Sequence, residues 1–103
     1  MIIPLSTPSS IIIQTTEELP LGMDMTALLS GTETPSNPVV AMQDLTAGTT
    51  VTLADTPTID GNIVVQIVSG SVLTAQHQYR MLFTFTAATD TTWTVPLAVT
   101  CPF

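Results

Sequence analysis

From Gln76 to Thr86 the chain repeats with a period of two. Tyr79, Met81, Phe83 and Phe85 fall on one face, and Arg80, Leu82, Thr84 and Thr86 fall on the other. Successive side chains of a strand point to opposite faces, so this spacing predicts a β-strand with one buried face. Thr92 to Cys101 repeats the device. There Trp93, Val95, Leu97, Val99 and Cys101 are set against Thr92, Thr94, Ala98 and Thr100. Ala87 to Thr91, which contains Asp90, supplies the turn between them. By phase, Trp93 and Cys101 belong to the core, and a buried free cysteine acts as a small hydrophobe. Pro96 falls on the outer face of the last strand. Lacking an N–H, it predicts an edge position or a bulge.

Upstream, Val51 and Leu53 alternate with Thr50 and Thr52. Thr58-Ile59 leads into Asp60-Gly61, and Asn62 to Val68 follows, with Ile63, Val65 and Ile67 sharing a face. Asp-Gly between two β-prone runs predicts a hairpin with a type I′ turn. Ser69-Gly70 stops the run. In the first half, Pro4, Pro8, Pro20, Pro35 and Pro38 predict short strands. The candidates are Ser10 to Thr15, Met23 to Leu29 and Val39 to Met42; Asp24 to Leu29 also admits a helix of two turns at most before Ser30-Gly31. About seven short strands, without a helix long enough for a βαβ unit, predict an all-β chain. The expected fold is an immunoglobulin-like β-sandwich with an extended N-terminal arm. Residues 1–9 are the arm and residues 10–103 a single domain.

Charge is the next constraint. Charged residues make up 9% of the 103 and hydrophobic ones 45%, against roughly 25% charged in ordinary domains. A neutral, hydroxyl-rich exterior is buried against protein at lower desolvation cost than a charged one. The deficit therefore points to a surface covered by neighbouring subunits, in a homo-oligomer or a larger particle. What charge remains is acidic: a net −7, with Arg80 the sole basic residue of the Lys/Arg class. Such a chain cannot neutralise phosphates, which argues against nucleic acid and anionic membrane as partners. One cysteine forbids an internal disulfide. Met1-Ile2-Ile3-Pro4 lacks the basic segment of a signal peptide, and no apolar run approaches the roughly 20 residues of a membrane helix.

Catalytic chemistry finds little purchase. His77 and Cys101 are single, and there is no Gly-x-Ser-x-Gly, HExxH, CxxC, phosphate loop or GxGxxG. The chain is read as no enzyme, with no catalytic residues, cofactor or metal. Calcium would require Asp55, Asp60 and Asp90 to converge, and the EF-hand spacing is missing. His77 is read as a partly buried strand residue or an interface contact. Ile2, Ile3 and Leu5 are apolar in a Pro-rich arm and are expected to dock on a neighbour. Arg80 is expected to pair with an acid of its own chain or of a neighbour.

A resemblance adds to these readings. It is carried by the run 54–62, Ala-Asp-Thr-Pro-Thr-Ile-Asp-Gly-Asn, then Val68-Ser69-Gly70, then Tyr79 ahead of Leu82-Phe83-Thr84-Phe85-Thr86. In this order the segment from Leu45 to Phe103 resembles a small family of immunoglobulin-like tailed-phage proteins encoded among head and neck genes. The spacer before Tyr79, Ser71 to Gln78, is longer than usual, and Asp90-Thr91-Thr92 stands where Gly-Arg is common in the final turn. The resemblance implies a virion structural protein assembled in the host cytoplasm. Its partners would be the major capsid protein or neck proteins. A capsid decoration or cement protein is the leading expectation, and a neck, collar, connector or tail-associated protein of the same fold is the alternative. A carbohydrate- or host-binding module is a third, less favoured for want of exposed aromatics.

Overall fold

The computed structural model describes residues 2–3, 10–29, 34–87 and 91–103. Among them nine strands form two sheets, and no α-helix is present. In chain order the strands are β1 (Ile2–Ile3), β2 (Ser10–Ile12), β3 (Glu18–Asp24), β4 (Ser36–Asp44), β5 (Thr49–Val51), β6 (Thr58–Asp60), β7 (Ile63–Ser69), β8 (His77–Thr86) and β9 (Thr92–Cys101). Two single-turn 3-10 segments, Thr26–Leu28 and Gly70–Val72, follow β3 and β7.

A four-stranded sheet has the order β1-β3-β7-β6, and a five-stranded sheet the order β2-β9-β8-β4-β5. If β1 and β2 are taken as the two halves of a first strand shared between sheets, these are the two layers of an immunoglobulin-like sandwich. β2 falls within the predicted strand Ser10 to Thr15, whereas β1, in the segment read as an arm, raises the count above the expected seven. Both pair in parallel: β1 beside Gly22 and Met23 of β3, β2 beside Ala98 to Thr100 of β9.

The long hairpin is as the alternation predicts. β9 spans Thr92–Cys101, β8 begins one residue after the predicted start, and the two pair without a bulge from His77↔Cys101 to Thr86↔Thr92. Met81, Phe83, Phe85, Leu97, Val99 and Cys101 are fully buried. Trp93 is a correction. It is in phase with the core but lies beside the turn of the hairpin, opposite Phe85, and stays 37% exposed. Pro96 sits on the outer face where β9 has β8 on one side only, since β2 covers just Ala98 to Thr100. No ladder bond is lost there.

The first half departs further. Its prolines do not keep the strands short: β3 has seven residues and β4 nine. Pro20 lies on β3 beyond the reach of β1, and Pro38 lies in the register shift between Ser36 and Val39, where Asn37 takes φ 51°. Each proline thus occupies an edge or a bulge, where a missing N–H costs little. The segment from Met23 is the end of a strand that begins at Glu18, followed by one 3-10 turn.

On β7 the buried side chains are Val64, Gln66 and Val68, so the face shared by Ile63, Val65 and Ile67 is the outer one. The hairpin between β6 and β7 turns on Gly61-Asn62, with Asp60 opposite Ile63. Gly61 has φ 61° and Asn62 is not in the positive region. That is the demand of a type II′ turn, not of the predicted type I′.

Gly70 closes the seam between the sheets. Its N–H donates to Glu17 O at 2.6 Å. A Cβ there would lie 2.1 Å from Gln14 O and 2.7 Å from Thr15 C, both backbone atoms. Only glycine fits so close an approach.

Candidate functional site

The densest polar cluster stands at the end of the five-stranded sheet where β4 finishes and β8 begins. Asp44, the last residue of β4, is 5% exposed. Its Oδ1 accepts from the backbone N–H of Thr46 at 3.0 Å and of Ala47 at 2.9 Å. This is the turn geometry that aspartate favours. Gly48, at φ 73°, donates its N–H to Asp44 O and returns the chain to β5. The other carboxylate oxygen, Oδ2, meets His77 Nδ1 at 2.6 Å. Burial pushes the Asp44 carboxyl up. The hydrogen bond and charge of His77 and the two backbone N–H groups outweigh it and hold the carboxyl below its ordinary value of 3.8.

Two further bonds clamp the turn to β8: Leu45 N–H donates to Gln78 O at 2.8 Å, and Gln78 N–H donates to Thr46 Oγ1 at 2.9 Å. Beside them Tyr79 Oη accepts from Thr74 N–H at 2.6 Å. That is the local bond by which immunoglobulin-like folds fix the corner before this strand.

Cys101 lies across from His77 in register, so thiol, imidazole and carboxylate stand on three adjacent strands. The chemistry does not follow from the residue types. Cys101 is fully buried, and desolvation pushes its thiol up from 9.0. An attacking thiolate needs the opposite environment, exposed and electropositive. The cluster braces a turn and a corner. A shallow depression of about 230 Å³ beside it is lined by Gln43, Asp44, Leu45, Gly48, Thr49 and Thr50, which offer no nucleophile-base pair.

The residues singled out for docking are not brought together. Ile2 and Ile3 run beside β3 of their own chain, at one edge of the four-stranded sheet. Leu5 lies outside the described residues. Arg80 is on the outer face of β8 and donates to Gln43 Oε1 at 2.9 Å across β4, a neutral partner where an acid was expected. Among the described residues no group of three His, Cys, Asp or Glu is placed to hold a metal. Asp90 falls outside them.

What sequence reasoning missed is a whole face. The outer side of the five-stranded sheet is built row by row: Val39, Thr84 and Thr94; Ala41, Leu82 and Pro96; Gln43, Arg80 and Ala98. It carries no carboxylate among the described residues, and Arg80 is its only charge. Val39 is 59% exposed and Ile12, at the β2 corner, 60%. The signal was the set of outward residues of the last two strands, Thr, Ala, Leu and Pro with one Arg, read as one surface. No protein-family model, curated protein or solved structure matches the chain.

Proposed function

We propose that this chain is a virion structural protein of a tailed phage, a decoration or cement subunit that reinforces the head shell. The observation that carries the reading is the outer face of the five-stranded sheet, which presents no carboxylate among the described residues, on a chain of net charge −7. A free-standing domain gains solubility from charge spread over its surface. A face of Thr, Gln, Ala, Leu and Pro with one Arg is cheaper to cover than a charged one. In a shell, many copies convert weak individual contacts into strong retention. The resemblance over 45–103 supports a tailed-phage particle as its setting.

Mass spectrometry and gel densitometry of purified particles test this. The chain should be present in hundreds of copies, against about six or twelve for a neck or collar ring. Particles lacking it should lose heat and osmotic resistance. Its absence from particles, or unchanged robustness without it, would overturn the reading.

A further inference from the structure

We infer that the outer face of the five-stranded sheet is a self-contact, on which a second copy of this chain packs face to face about a two-fold axis. The inference names the first partner of the proposed structural subunit and rests on that reading for its purpose.

Three observations select this occupant. The first is charge. The outer face of the other sheet presents Glu18, Asp24 and Asp60, whereas this one presents none of the described carboxylates. Two copies of so acidic a chain can bring these faces together without opposing their acids. A head-to-tail stack would press three carboxylates onto a face whose single cation, Arg80, is already bonded to Gln43. Buried carboxylates without partners are strongly unfavourable. The second is area. At about 3.4 Å per residue and 4.8 Å between strands, each residue covers about 16 Å² of sheet. Strands of 3, 10, 10, 9 and 3 residues then give about 550 to 600 Å² per copy. Two such faces bury about 1,100 to 1,200 Å², near the lower end of stable specific interfaces. The third is the edges. The four edge strands, β1, β6, β2 and β5, have two or three residues each. The lengths of β3, β4 and β9 that they leave uncovered each carry a proline, Pro20, Pro38 and Pro96, which interrupts strand addition and favours the face as the surface for self-association.

Sedimentation equilibrium of the full chain, with folding checked by circular dichroism, tests this. A monomer–dimer equilibrium that closes at two and changes little with salt is expected. Val39→Glu places a carboxylate on the exposed face and should weaken the dimer at least about tenfold. Thr84→Glu, beside it, should do the same, so that a folding defect in one variant does not decide the matter. Ile67→Glu, on the outer face of the other sheet, should leave it unchanged. A strict monomer at about 200 μM would overturn the inference. So would open-ended polymers dissolved by salt or by Ile67→Glu, which would point to the head-to-tail stack. Loss of the dimer would leave incorporation into particles to be judged separately, so the two proposals can fail independently.

Discussion

The two sheets share one core and differ in what they contribute to it and show outside it. The five-stranded sheet sends in the aromatics, Tyr79, Phe83 and Phe85, and faces outward without a carboxylate among the described residues. The four-stranded sheet sends in Leu21, Met23, Val64 and Val68, together with the amide of Gln66, and carries acids outside. One sheet is a continuous, strongly alternating surface. The other is pieced from shorter runs and held by close backbone contact at Gly70. The contrast teaches that side-chain bulk stabilises one layer while backbone fit secures the other.

Core truncation should separate them most. Phe83→Ala removes a fully buried ring and should cost about 3–5 kcal/mol in denaturant unfolding. Val64→Ala, on the opposite layer, removes two methyl groups and should cost about 2 kcal/mol. Equal losses would break the asymmetry. Gly70→Ala tests the seam. Its new methyl group meets Gln14 O and Thr15 C, which are main chain and cannot swing aside. A loss of about 3 kcal/mol is expected, at the upper end for overpacking, and a neutral result would show that the loop at 14–17 yields freely.

Legibility in the sequence follows the same division. β8 and β9 could be read residue by residue because their faces differ in polarity: large apolar residues inward, Thr and Ala outward. From Ile63 to Val68 of β7 both faces are apolar except for Gln66, so alternation could not tell inside from outside. The structure settles it by burying Gln66, whose Nε2 donates to Asp55 O at 2.8 Å and to Ile67 O at 3.0 Å. Proline misled in β3 and β4 because a sequence does not show which stretch of a strand lies beyond its neighbour's end. Trp93 misled because phase gives the direction of a side chain and not its distance from the end of the sheet. The Asp44–His77 pair was invisible, since it joins residues 33 apart whose contact depends on strand order.

The corner and the turn at the end of the five-stranded sheet sharpen the comparison at smaller scale. Tyr79→Phe deletes the acceptor of Thr74 N–H and should cost about 1–2 kcal/mol, the penalty of a partly buried donor left without a partner. Asp44 makes a pH-dependent contribution. Its folded pKa lies below 3.8, so the folded state binds its proton less readily than the unfolded chain. The stabilisation is therefore complete well above pH 3.8 and is lost as pH falls through the folded value. Asp24 is lowered as well, by the side-chain and backbone bonds of Thr26, and titrates in the same direction. Thermal melts should fall steeply in acid, and Asp44→Asn should make that slope shallower. An unchanged slope would transfer the acid sensitivity to other carboxylates.

Arg80 should have the smallest effect on folding. As the chain's sole Lys/Arg residue, it would be a costly residue to lose if it closed an ion pair with one of the eight acids. The structure gives it a neutral partner, Gln43, on an exposed face. A solvated hydrogen bond of that kind contributes little, because water replaces it when the side chain is removed. Arg80→Gln should therefore change unfolding stability by no more than about 0.5 kcal/mol and leave the acid limb of the pH profile as it was. A larger loss that salt diminishes would reveal a carboxylate partner in solution. No described acid shares its face, so a carboxylate partner supplied by a second molecule would favour the head-to-tail stack over the face-to-face pair.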